Sequence, residues 1–178
     1  FRGGGMRNND SSPTLMNCRF EGNSANVSGG GMYNWQDSSP TLSDCSFVGN
    51  STSGSNGHGG GMYNYEDSNP ALTNCTFTSN SARSGGGMYN KSSSPILTDC
   101  LLTNNSASFS GGGMFNSGFG GPNLTDTILC GNTSGQIEGF WNDYGGNCIS
   151  EVCDTDADGT RDCFDGCPDD PNKTDPGA

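Results

Sequence analysis

The chain is short of almost everything that an ordinary globular domain relies on. Only 29% of its 178 residues are hydrophobic, so any core must be narrow. No apolar stretch approaches the roughly 20 residues of a membrane span. Lys and Arg number 7 against 19 Asp and Glu, for a net charge of −12. That balance disfavours nucleic acid and anionic membrane as partners. There is one histidine, His58, in a Ser-Asn-Gly-His-Gly loop with no Cys or carboxylate at ligand spacing. No Ser-His-Asp arrangement is available away from it, and no role is assigned to His58. No phosphate-binding loop is present either, because no helical pattern follows the Gly triplets. The sequence opens inside a repeat at Phe1 without a leader segment. It reads as a processed mature chain or as a piece of a longer one.

What the chain does have is one phrase repeated five times. Gly-Gly-Gly precedes Met6, Met32, Met62, Met88 and Met114, and a Pro follows at Pro13, Pro40, Pro70, Pro95 and Pro122. A period of this size marks a solenoid whose units must stack, because none can bury its apolar face alone. Each of the first four Pro residues stands five before a Cys (Cys18, Cys45, Cys75, Cys100), with Thr127 in the fifth slot. Five further on comes Asn23, Asn50, Asn80, Asn105 or Asn132. Only the stretch from that Asn to the next Gly triplet varies much, as a loop outside a locked coil would.

Gly, Pro, Ser, Thr and Asn at this density exclude helices. Short apolar runs between turn formers read as strands. Three are expected per unit: Gly-Gly-Met-Tyr-Asn, Pro-Thr-Leu and Cys-Ser-Phe. Between the last two stands Asn17, Asp44, Asn74, Asp99 or Asp126, residues that tolerate the left-handed backbone of a sharp bend. Three strands and three corners per coil, stacked in parallel about 4.8 Å apart, make a parallel β-helix. Like then sits on like: a Met ladder, a Leu ladder (Leu15, Leu42, Leu72, Leu97, Leu124), a Cys ladder and a Phe ladder (Phe20, Phe47, Phe77). Buried Asn side chains can chain amide to amide, since each both donates and accepts.

These repeats resemble the right-handed β-helix family that contains pectate lyases and many bacterial surface proteins. The resemblance covers about residues 1–150 and implies an all-β, right-handed parallel β-helix of about five to six coils. Residues 151–178 form a separate, acidic tail. The first segment has ten acidic and five basic residues, the tail nine and two.

Nine cysteines are present. Those in the ladder read as reduced core thiols, small and apolar, or as bridges between adjacent coils. Cys148, in Gly-Gly-Asn-Cys-Ile, reads as a continuation of the ladder in a degenerate sixth coil. Cys130 lies outside the ladder slot, and a bridge to Cys153 is expected. Cys163 and Cys167 pair with each other or beyond the chain end.

The strongest chemical signal is Asp-Thr-Asp-Ala-Asp-Gly-Thr-Arg-Asp-Cys-Phe-Asp at 154–165. Calcium needs six to eight oxygens, which a short loop supplies from alternate positions. Asp154, Asp156 and Asp158 converge, and Gly159 permits the turn. Thr160 offers its carbonyl, Asp162 acts directly or through water, and Asp165 closes the sphere. The competing reading is a solvated acidic linker. With Cys167-Pro168-Asp169-Asp170-Pro171-Asn172 after it and no flanking helices, the loop resembles a thrombospondin type 3 repeat. That resemblance implies bound Ca²⁺ and secretion to the extracellular space or cell surface. One full copy is visible, where the family usually has several in tandem.

Three weaker constellations remain. Asp10, Asp37 and Asp67 each stand three before a Pro. They form either a solvated acidic edge or the acidic face of a polysaccharide lyase. Arg7, Tyr33, Tyr63, Tyr89 and Phe115 follow the ladder Met residues and should point outward, with Trp35 and Tyr65 two further on. This reads as an exposed aromatic stripe suited to sugar stacking or protein contact, or as packing beneath a loop. Sequons such as Asn26-Val27-Ser28, Asn50-Ser51-Thr52 and Asn74-Cys75-Thr76 are frequent, and Ser-rich loops suit glycosylation.

The leading expectation is a secreted, non-enzymatic structural or adhesive protein. Its partners are other copies stacked head to tail into a filament, or the rest of a longer parent chain. The alternatives are a lyase or hydrolase using Asp10, Asp37 and Asp67, and a glycan-binding module using Tyr33, Tyr63 and Tyr89.

Overall fold

The computed structural model describes residues 1–153, which form strands, turns and bends without a helix. The chain winds as a right-handed β-solenoid of about five turns. Every strand hydrogen-bonds in parallel to its counterpart one coil away. The first sheet stacks Met6–Asn9, Met32–Trp35, Met62–Tyr65, Met88–Lys91, Met114–Ser117 and Ile137–Glu138. The second stacks Thr14–Met16, Thr41–Ser43, Ala71–Thr73, Ile96–Thr98, Asn123–Thr125 and Asn142–Asp143. The third stacks Arg19–Glu21, Ser46–Val48, Thr76–Thr78, Leu101–Thr103, Ile128–Cys130 and Cys148–Ser150.

The three expected strands recur in all six coils, and four of the coils carry one more. A fourth sheet of four strands stacks Ser24–Ala25, Ser51–Thr52, Ser81–Ser84 and Ser106–Ser110. It occupies the start of the stretch read above as a free loop. The signal was the Ser that follows each of Asn23, Asn50, Asn80 and Asn105. Runs of Ser and Ala lack the β-branched and aromatic residues that mark a strand. Here the strands exist because the coil above and the coil below supply hydrogen-bonding partners.

Register is set by identity. Met6, Met32, Met62, Met88 and Met114 pair in sequence, as do Leu15, Leu42, Leu72, Leu97 and Leu124. The Phe ladder runs Phe20, Phe47 and Phe77 with ring centroids 4.7 and 4.5 Å apart, then continues as Leu102 and Leu129. These side chains and the ladder cysteines form one narrow core.

The corners obey the left-handed requirement. Asn17, Asp44, Asn74, Asp99 and Asp126 have φ between 48° and 54°. Met-to-Pro spacing explains a second corner. Coils with seven residues use one left-handed residue, Asp10 or Ser92. The coils of Met32 and Met62, with eight, use a pair, Gln36-Asp37 or Glu66-Asp67. An inserted residue is thus absorbed by one more left-handed turn, and both flanking strands keep their register.

Two buried amide ladders run along the axis. Asn8 donates to Asn34, Asn34 to Asn64, Asn64 to Asn90 and Asn90 to Asn116, at 2.7 to 2.8 Å. The second runs Asn23, Asn50, Asn80, Asn105, Asn132 and then Gln136. In it both amide hydrogens are used. Asn80 Nδ2 donates to Asn105 Oδ1 and to the Phe47 carbonyl, each at 2.9 Å. Burial of so many polar groups is tolerable because each is bonded. The first ladder ends at Asn116, whose Nδ2 has no partner.

Candidate functional site

The calcium loop, with Asp154, Asp156, Asp158, Thr160, Asp162 and Asp165, lies outside the described residues, as do Cys163 and Cys167. Among the described residues no group of three or more His, Cys, Asp or Glu is placed to hold a metal ion.

The acidic edge exists as a line of corners. Asp10, Asp37 and Asp67 are exposed and left-handed, and backbone hydrogen bonds hold them (Asp37 N to Glu66 O, 3.1 Å; Asp67 N to Ser92 O, 3.0 Å). Among the described residues no cation pairs with them. The only ion pair among the described residues joins Arg19 to Glu21 at 2.7 Å, with both side chains more than half exposed. A lyase needs a strong base beside its acids, and the cations closest in sequence are spent elsewhere. Arg7 lies over Tyr33 and Trp35, and Lys91 lies 5.0 Å over Tyr65.

The aromatic stripe points outward but is not exposed. Tyr33, Tyr63, Tyr89 and Phe115 stack with centroids 5.1 to 5.3 Å apart, yet Tyr33, Tyr63 and Tyr89 are buried. Strand alternation fixes the direction of a side chain, not what later covers it. Trp35 and Tyr65 pack alongside the row, and Arg2 and Arg7 lie over Tyr33. His58 packs on Tyr89 at 4.6 Å. The long loop after Thr52 brings it there, bridging in parallel to Ser28 and Ser84. His58, assigned no role above, is therefore part of the cover of this wall. Burial, then Arg83 and Lys91, push its pKa below the usual imidazole value. Burial likewise pushes the Tyr33 and Tyr63 phenols above theirs. The exposed stripe expected of Tyr33, Tyr63 and Tyr89 is thus corrected to a covered one. The half-buried rings of the wall are Trp35, Tyr65 and Phe115.

A groove of about 630 Å³ opens on the fourth sheet. Sequence reasoning missed it because the strands beneath it were read as loop. Thr52, Ser53, Ser81, Ser106 and Ser108 are among the residues that line it, and Arg83 is the one charged residue in its lining. The Arg83 guanidinium lies 4.9 Å over the ring of Phe109, which is 65% exposed.

The cysteines are sorted by depth. Cys45, Cys75 and Cys100 are buried free thiols, and Cys18 is a half-buried one. Each buried thiol has two carbonyls within donating reach, the nearer two residues back and the other on the preceding coil. The hydrogen bond with Cys75 and burial push the Cys100 thiol well above its ordinary pKa. The structure holds these four as free thiols and not as bridges between adjacent coils. Cys130 is bonded to Cys153, as expected. Cys148 is disulfide-bonded too and lies one residue out of the ladder. It pairs with Ile128, while Asn147 accepts from the Thr127 amide at 2.9 Å. The sequon at Asn50 is closed, because Asn50 is fully buried and its amide is committed to the ladder.

Comparison with curated proteins and with solved structures found no match. The family described as right handed beta helix region matches residues 2–149. The repeat, the parallel register and that match agree, and the chain belongs to the right-handed beta-helix family.

Proposed function

We propose that this chain is a secreted, non-enzymatic structural or adhesive solenoid, with a calcium-binding segment at 154–165 and the capacity to extend end to end. The observation that carries the reading is the polarity of the amide ladders. Within each, the side-chain oxygen accepts from the preceding coil. Asn8 and Asn23 are therefore the residues to which a further coil would donate. Met6, Leu15 and Cys18 are half-buried beside them. A coil of a second copy, or of a longer parent chain, would extend both ladders and bury these side chains. The Cys130–Cys153 disulfide supports an oxidising compartment,.

The test uses native material. Rods of indefinite length in electron micrographs, with an intact mass near 18.4 kDa, support self-stacking. A much larger mass containing further coils assigns the extension to a parent chain and removes the filament. New reducing ends released from a polyuronate panel, and lost in Asp37→Asn, would overturn the non-enzymatic reading. Calcium titration by calorimetry should show binding that Asp158→Asn weakens. A flat titration removes the metal site.

A further inference from the structure

We propose that the groove on the fourth sheet is an adhesive contact that takes an acidic glycan, held by Arg83 and Phe109. This rests on the adhesive reading above and names its ligand class. The rows beneath the groove are in register. Ser51, Ser81 and Ser106 pair across three adjacent coils, as do Ala82 and Ala107. A ligand lying along the solenoid axis, across the strands, meets hydroxyls repeated every ~4.8 Å. Hydroxyls both donate and accept, which suits a hydroxyl-rich chain better than an apolar one.

Charge and shape narrow the class. Arg83 has no carboxylate partner among the described residues, and no carboxylate lines the groove. In a chain of net charge −12, Arg83 places a guanidinium without an ion-pair partner on the groove. Its planar fork matches a carboxylate in bidentate fashion. Stacking on Phe109 orients the fork, and the exposed remainder of that ring offers an apolar face of the kind sugars lie on. A carboxylate on a chain of hydroxylated rings satisfies all three features together. An acidic peptide satisfies only the charge. The site lies on a different sheet from the corners of Asp10, Asp37 and Asp67, and it contains no acid–base pair, so the ligand is bound and not cleaved.

The test is calorimetric titration of the whole chain with a uronic-acid hexasaccharide, a neutral hexasaccharide and a polyglutamate peptide, at low and high salt. The uronate should bind, weaken as salt rises, and lose roughly tenfold in affinity in Arg83→Gln, the loss of one charge-assisted contact. Phe109→Ala should weaken it too, while Arg19→Gln, on an exposed pair elsewhere, should not. Thermal melting of each variant checks that the fold is retained. Equal affinity for the neutral sugar, stronger binding of polyglutamate, indifference to Arg83→Gln, or no binding of any probe overturns the proposal. The two readings fail separately. Rods that bind no glycan remove the groove assignment alone, whereas shortening of the hexasaccharide removes the non-enzymatic reading.

Discussion

The residues that hold this molecule together are its asparagines as much as its apolar side chains. Asn80 accepts from the Asn50 amide and side chain, and it donates to Phe47 O and Asn105 Oδ1. Asn80→Ala leaves a buried carbonyl and two donors without partners. Each such orphan costs about 1–3 kcal/mol. A loss on the order of 3 kcal/mol or more is expected in denaturant unfolding, against little change for Asn9→Ala at the exposed surface. A small effect at Asn80 would show that water replaces the ladder. The ladders were legible from the spacing of Asn23, Asn50, Asn80, Asn105 and Asn132. The closing of the aromatic stripe was not. Tyr63 and its neighbours point outward as alternation demands, but Trp35, Arg2 and His58 arrive from other coils and other parts of the repeat.

At the scale of the element, the Gly triplets and the corners place opposite demands on glycine. A Cβ at Gly60 would lie 2.5 Å from both Gly86 O and Ser81 O. Neither backbone oxygen can retreat without breaking the stack. Gly49 sits at φ +61° with nothing within 4 Å, and the equivalent corner holds Ser79 and Asn104 in other coils. Gly49→Ala should cost about 1–2 kcal/mol, the left-handed penalty for an ordinary side chain. Gly60→Ala should cost clearly more, or prevent folding. Equal melting temperatures for the two variants would contradict this account of coil spacing. The fourth sheet belongs to the same scale. Its Ser-Ala strands have no propensity of their own, so no local pattern announced them. Once the neighbouring coils are fixed in register, their free backbone groups must be paired, and the chain is drawn into a strand.

For the molecule as a whole, every strand among the described residues pairs with neighbouring coils, so stability is a chain of nearest-neighbour terms,. The last coils are the thinnest: Ile137–Glu138 and Asn142–Asp143 are two-residue strands. The Cys130–Cys153 bridge, spanning 23 residues, fastens that end. In the chain-entropy account a loop of this size contributes about 3 kcal/mol. Cys130→Ser with Cys153→Ser should therefore raise amide exchange in residues 128–150 well before it affects Met32–Trp35. Uniform acceleration along the chain would mean that the solenoid unfolds as one cooperative unit.

Repeat spacing alone carried the winding, the identity of the interior ladders and the left-handed corners at Asn17 through Asp126. These follow from local chemistry repeated at a fixed interval, which stacking merely adds up. Folding decided which outward residues are covered, that Cys148 falls one place out of step, and that serines form a fourth sheet beneath a groove with Arg83 at its wall. Those features depend on which distant segments meet across coils, and no single repeat contains that information.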